Sequence, residues 1–264
     1  MVRALGTVLF AALVFACSST EQEEAPKYPT VDSMCQARAT EECQVASKCG
    51  AKLETCVASR KATCATSAAA SQTGTRAYRA KVGETCVNKA KEVYAKAPIT
   101  PDDIAKLDEA CQKAFQGTQA KLQACTTSYD CDGELICDKQ VCAGKVEKKE
   151  GEFCGNPGEV CAAGSYCVAS AAGALQCAPK KKKGEICDAK SPCLESLRCN
   201  NTCLERFGSG EACASNDDCG ASAPLCDNIN LGSKCGPGVT PVAGVAACKD
   251  CPAGANPAYC GFGG

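Results

Sequence analysis
The chain has 264 residues with 30 acidic and 29 basic side chains, a formal net charge of −1, and 27 cysteines but neither histidine nor tryptophan. Near-neutrality excludes a global basic field for nucleic acid, and the absence of imidazole excludes Ser-His and Cys-His nucleophile systems and histidine metal ligands. Cysteine at this density belongs to oxidised, exported proteins, because cytosolic reductants keep thiols from pairing.

Residues 1–16 read as a signal peptide. Met1-Val2-Arg3 is a short basic start, and Ala4–Ala16 is an apolar run of 13 residues, too short to span a bilayer as a mature helix. The run ends Leu13-Val14-Phe15-Ala16-Cys17, which resembles the lipobox of bacterial lipoproteins. That resemblance implies a diacylglycerol on the Cys17 sulfur, an acylated N-terminus and a membrane anchor. Setting Cys17 aside leaves 26 cysteines, an even number that can all pair. Residues 17–30 are polar, acidic and proline-containing and read as a tether. Ser18 follows the lipobox, and by the sorting rule for lipoproteins of double-membraned bacteria it implies the outer membrane.

Without Arg3 the mature chain carries 28 basic and 30 acidic groups, and it keeps only four Phe and six Tyr. A single large core is not expected, and disulfides should substitute for burial.

Residues 31–120 are rich in Ala, Lys, Glu, Gln and Arg and predict a cysteine-bridged helical region. Cys35 and Cys43 are eight residues apart, as are Cys56 and Cys64. Pairing Cys43 with Cys56 and Cys35 with Cys64 gives two bridges centred between Cys49 and Gly50, the pattern of an antiparallel helical hairpin. It resembles, in geometry only, the twin-cysteine hairpins of small oxidised mitochondrial proteins. Ala37, Ala39, Ala46, Ala51, Ala58, Ala62 and Ala65 are expected to allow the close approach. Residues 66–74 read as a flexible joint. A helix over Thr75–Lys96 is expected next, ended by Pro98. Thr100-Pro101-Asp102-Asp103 is a helix start, with Thr100 as the cap. Cys86 and Cys111 flank this turn symmetrically and are expected to pair.

Residues 121–236 contain four clusters of four cysteines. These are Cys125, Cys131, Cys137 and Cys142; Cys154, Cys161, Cys167 and Cys177; Cys187, Cys193, Cys199 and Cys203; and Cys213, Cys219, Cys226 and Cys235. The first two steps within each cluster are six or seven residues, and three clusters open with Gly-Glu-x-Cys, at Gly151, Gly184 and Gly210. Each unit should be a disulfide-tied loop with one small hairpin. Four cysteines allow three connectivities, of which first-to-third with second-to-fourth is preferred. The lysine-rich stretches at 145–149 and 180–183 read as solvated linkers. The fold class expected is therefore small, disulfide-rich and modular: helical hairpins followed by short loop-rich repeats.

Cys125-x5-Cys131-Asp132-Gly133-Glu134-Leu135-Ile136-Cys137 and Cys161-Ala162-Ala163-Gly164-Ser165-Tyr166-Cys167 resemble the Dickkopf N-terminal cysteine-rich module, in pieces over residues 125–235. The adjacent double cysteines and later Cys-x2-Cys of that module are missing, so the resemblance is to a framework and carries over no binding residues.

The tail, residues 237–264, holds Cys248, Cys251 and Cys260. If every thiol other than Cys17 is oxidised, the three cysteines here and the unmatched Cys49 require at least one bridge between regions. Cys248-x2-Cys251 lacks the strand–helix context of a thioredoxin-like site. Asp102/Asp103, Asp130/Asp132 and Asp217/Asp218 have simpler roles as helix-start or turn residues, and Asp130-x-Asp132-Gly133 lacks the later ligands of a calcium loop. The expectation is no catalysis, no metal and no cofactor. The chain should present its modules for binding to a protein or polysaccharide, with no nucleic acid partner. The alternatives are an inhibitor-like module acting through loop 168–176 or 227–234, and a structural envelope spacer.

Overall fold
The structure, a computed structural model, describes residues 24–249, 251 and 256–262. The expected signal peptide, residues 1–16, and the expected lipidation site, Cys17, lie outside them.

Four helices occupy the N-terminal part: α1 (Val31–Glu42), α2 (Leu53–Ser71), α3 (Ala80–Tyr94) and α4 (Pro101–Lys113). α1 starts at a reciprocal cap in which Thr30 and Ser33 bond each other's backbone N–H. A 3-10 turn, Cys43–Cys49, and Gly50 in the left-handed conformation (φ 71°) reverse the chain into α2. The two helices are tied by Cys35–Cys64 and Cys43–Cys56, with Cα separations of 5.5 and 5.8 Å. Of the alanines expected at the close approach, Ala39 and Ala46 are buried and Ala37 and Ala51 pack against the core. Ala58, Ala62 and Ala65 are exposed. The buried face of α2 carries Cys56, Arg60, Cys64, Ala68 and Ser71, a helical stripe that turns the three alanines outward.

The expected joint at 66–74 is mostly helix: α2 runs to Ser71, whose hydroxyl donates to Gln112 Oε1 at 3.2 Å. Nor does the third helix begin at Thr75. Arg76 Nε donates to the Phe115 carbonyl and Arg79 N to the Ala114 carbonyl, holding 76–79, which are not helical, against the end of α4. α4 begins as the Thr100-Pro101-Asp102-Asp103 sequence requires, with Thr100 and Asp103 capping each other. Cys86–Cys111 joins α3 to α4.

Beyond residue 117 the chain forms four disulfide-tied repeats. Each carries one two-stranded antiparallel hairpin: β1 (Ile136–Asp138) with β2 (Val141–Ala143), β5 (Ser165–Ala169) with β6 (Leu175–Pro179), β7 (Leu197–Asn200) with β8 (Thr202–Glu205), and β9 (Leu225–Asp227) with β10 (Lys234–Gly236). The third and fourth cysteines of every repeat stand directly opposite each other in these hairpins. Each then bonds to an earlier cysteine, third to first and fourth to second.

Each repeat joins the segment that precedes it through a recurring parallel contact. β3 (Val146–Lys148) pairs with β4 (Glu159–Cys161), and isolated parallel bridges link Gln119 to Cys131, Lys181 to Cys193 and Phe207 to Cys219. The lysine-rich stretches are therefore parts of these joints as well as solvated surface. Lys148 pairs with Glu159 at 3.0 Å, Lys180 with Glu195 at 2.6 Å and Lys183 with Glu205 at 2.6 Å.

One sizeable apolar core does form, against expectation. It spans all four helices, with Met34, Val45, Val87, Val93, Tyr94, Ile104 and Leu107 buried, and it includes Leu225 from the fourth repeat and Val239, Tyr259 and Phe262 from the tail. Those four residues supply bulk that the alanine-rich helices lack, which is why composition by region understates the core. The first and fourth repeats hold only small clusters, built largely of their own cysteines.

Candidate functional site
Thirteen disulfides engage all 26 cysteines of the described residues. Cys49 bonds to Cys248, and Cys251 to Cys260. Cys248 and Cys251 are thus committed to different partners and form no dithiol pair. In every repeat the first, second and fourth sulfurs lie within 4.8 Å of one another. They belong to two stacked bridges, and a disulfide sulfur lacks the thiolate charge that binds zinc.

The Gly-Glu-x-Cys opening proves to be a folding device. Gly151, Gly184 and Gly210 adopt φ of 84–86°. Their N–H groups donate to the carbonyl of the fourth cysteine, Cys177, Cys203 and Cys235, each at 2.8 Å. The fourth cysteine's N–H returns to the carbonyl of Glu152, Glu185 or Glu211. Each carboxylate accepts a backbone N–H three residues earlier, from Lys149, Lys182 or Gly208. The first repeat uses Leu122-Gln123-Ala124-Cys125 in the same place, with Leu122 forced to φ 70°. The chemistry is shared although the letters differ, so the sequence pattern hid this fourth copy. Asp130 and Asp218 are likewise spent on turns, accepting backbone N–H groups of Thr126 and Thr127, and of Ala214 and Ser215.

The two loops suggested by length differ sharply. Residues Ala171–Ala174, at the tip of the β5–β6 hairpin, are exposed. Loop 227–234 is pinned: the Asp227 carboxylate, 3% exposed as a residue, accepts from Ile229 N and Asn230 N, both at 2.9 Å. Asn230 in turn accepts from Ala247 N at 3.1 Å.

The site that sequence reasoning missed lies where the C-terminal segment meets the helices. The array leaves α4 near Gly117, whose N–H donates to the Tyr129 carbonyl at 2.7 Å. It returns at Val239, which exchanges both backbone hydrogen bonds with Ile99. Farther on, Tyr94 Oη donates to the Ala258 carbonyl at 3.1 Å, and the Tyr94 ring meets Phe262 edge-on at 5.8 Å.

Beneath this segment sits a buried charge group. Arg38 Nε bonds Glu42 Oε1 at 2.6 Å, and Arg60 Nη1 lies 3.8 Å from Glu42 Oε2. Arg60 also donates from Nη2 to the Cys260 carbonyl and stacks over Phe262 at 4.5 Å. Burial works against the Arg38 charge, but Glu42 outweighs it and raises its pKa. Burial, assisted by Glu42, pushes the Tyr94 hydroxyl far above its ordinary value and keeps it a neutral donor. Asp108, at the rim, is also raised, by partial burial and Glu42 against the opposing pull of Arg38.

A cavity of about 190 Å³ lies against Arg38, Glu42, Arg60 and Tyr94. A second, of about 280 Å³, is walled by Ile104, Leu225, Ile229 and Tyr259. Asp108 and Asn256 line both.

The density of disulfides fits an oxidising, extracytoplasmic environment, and no helix among the described residues is long and apolar enough to cross a membrane. Compared with protein-family models, with curated proteins and with solved structures, the chain finds no match.

Proposed function
We propose that this chain is a non-catalytic, lipid-anchored protein of the cell envelope that displays its repeats for binding or adhesion. The observation that carries this reading is the attachment of the array at both ends. Its first repeat is bonded to the end of α4, and its fourth is returned to the helices by the Ile99–Val239 pair and the Cys49–Cys248 bridge. Loops displayed from a frame held at two ends lose less entropy on binding than loops on a free tail. The Leu13–Cys17 sequence and the even number of remaining cysteines support lipidation at Cys17, and Ser18 favours the outer membrane. The partner is a protein or polysaccharide. The Dickkopf-like reading of 125–235 concerns the cysteine framework only.

Cross-linking and capture with the intact oxidised chain test the reading. Binding should be lost on reduction and survive EDTA; a metal requirement or a hydrolytic activity would overturn it. Intact-mass analysis should find an acylated glyceride on Cys17, and Cys17→Ser should remain unprocessed. A second reading, inhibition of an extracellular enzyme, draws support from the exposed β5–β6 tip alone, because loop 227–234 is tied down. Recovery of an enzyme whose activity falls on binding would favour it.

A further inference from the structure
The paired cavities under the C-terminal segment have an ordered chemistry. The inner one is lined by two guanidinium groups, Arg38 and Arg60, and two carboxylates, Glu42 and Asp108, so that its charges balance. Both Arg60 and Glu42 side chains are more than nine-tenths buried, at 7% and 5% exposure. Glu42 is closely engaged by Arg38 at 2.6 Å, whereas Arg60 remains 3.8 Å from it and places its hydrogen bond on the Cys260 carbonyl. Nη1 of Arg60 thus keeps donor capacity beside the cavity. The Asp108 side chain lines both cavities and feels the Arg38 charge, but among the described residues it makes no side-chain hydrogen bond or close ion pair. The outer cavity offers apolar walls from Ile104, Leu225, Ile229 and Tyr259.

Buried guanidinium donors, a carboxylate shared by both cavities and an apolar chamber thus line neighbouring spaces. We propose that this junction binds a free α-amino acid with an apolar side chain. Its carboxylate would face Arg60 and Arg38, its ammonium group Asp108, and its side chain the Ile104–Leu225–Ile229–Tyr259 chamber. Cavities of about 190 and 280 Å³ suit a molecule of this size and are small for a drug-sized ligand. An anion alone would leave Asp108 without a hydrogen-bonded cation, and a hydrocarbon would leave Arg60 Nη1 without a close acceptor; a zwitterion with an apolar side chain supplies both. The site is independent of the display role proposed for the array, since it lies between the helices, the fourth repeat and the tail.

Equilibrium dialysis of the oxidised full chain against labelled L-leucine and L-phenylalanine tests it. One molecule should bind per chain. Leucinamide, N-acetylleucine and glycine, which lack the carboxylate charge, the ammonium group and the side chain respectively, should each bind about tenfold more weakly or worse, the equivalent of one lost contact. Asp108→Asn removes a rim charge from an exposed position and should preserve the circular dichroism spectrum. It should weaken leucine binding about tenfold while leaving the residual binding of N-acetylleucine unchanged. No retention of either amino acid by the folded chain, equal retention of leucine and leucinamide, or an unaltered leucine affinity in Asp108→Asn would overturn the proposal. Loss of capture by the array with amino acid binding intact would instead count against the display role alone.

Discussion

Cys49, at the end of the first helical hairpin's 3-10 turn, is bonded to Cys248, 199 residues later, with Cα atoms 5.3 Å apart. This bridge closes the chain on itself: the repeats leave the helices at α4 and come back to them at the tail. Around it the Ile99–Val239 backbone pair, the Tyr94–Ala258 hydrogen bond and the Arg60–Cys260 hydrogen bond hold the same joint.

Removing the clasp with Cys49→Ala and Cys248→Ala together should cost about 2–5 kcal/mol, read as a lowered midpoint in denaturant. The tail should stay docked, because Phe262 and Val239 remain buried in the helical core. Hydrogen exchange at Ile99 and Val239 should therefore stay slow in the variant. Rapid exchange there would show that the bridge alone holds the segment.

Leu122 occupies the left-handed position filled by glycine in the other repeats and is 69% exposed. A side chain there contributes strain without compensating burial. Leu122→Gly should stabilise the chain by about 0.5–1 kcal/mol despite the added freedom of the unfolded state. Gly184→Leu should do the reverse, by a similar amount, when thermal unfolding of the two variants is compared with wild type.

Asp130 and Asp218 give a signed pH dependence. Burial raises Asp130, but backbone N–H groups of Thr127 and Thr126 and the Thr126 hydroxyl bring it below the ordinary carboxylate value. The N–H groups of Ala214 and Ser215 lower Asp218. Each folded pKa is depressed, so the stabilisation is present above the unfolded value near 3.9 and is lost as pH falls through the folded value. Asp130→Ala should cost about 1 kcal/mol at pH 7 and progressively less below about pH 4. A difference that stays constant down to about pH 2 would contradict the capping role.

Glu195 fastens the second repeat to the third. Its Oε1 accepts from Lys180 Nζ at 2.6 Å and from Gly164 N at 3.1 Å. The Lys180 hydrogen bond, with help from backbone N–H groups, brings the carboxyl down to about 2. Carboxyl carbon shifts followed by NMR should show Glu195 titrating near pH 2, well below the other exposed glutamates. Glu195→Gln should change global stability by less than about 1 kcal/mol, since the pair is solvent-screened. It should still broaden or shift the Gly164 amide, because the joint depends on that acceptor.

Much of the architecture was legible from cysteine spacing. The pairs Cys35–Cys64, Cys43–Cys56 and Cys86–Cys111 follow from symmetry about a turn, since two antiparallel helices place residues equidistant from the reversal side by side. The repeats were visible because each is closed by its own bridges, within 10–16 residues. Local closure leaves a local signature. The Thr100 cap was readable for the same reason: Asp103 lies one helical turn away.

The partner of Cys49 could be required by parity but not chosen, and the charge group beneath the tail left no pattern at all. Arg38 and Glu42 stand four residues apart, the spacing of any helical ion pair, and only Arg60 and residues 256–258, brought from far along the chain, share their cavity. Asp108 resembled any acidic residue on a helix face. Cysteine spacing by itself determined the hairpins, the repeats and their oxidised character, because those contacts are made between near neighbours. Only the tertiary structure decided that the chain closes into a ring, that its tail completes the core, and that Arg38, Glu42, Arg60 and Asp108 share one cleft. Contacts across about 150 to 200 residues depend on how whole modules stack, and no local periodicity records that path.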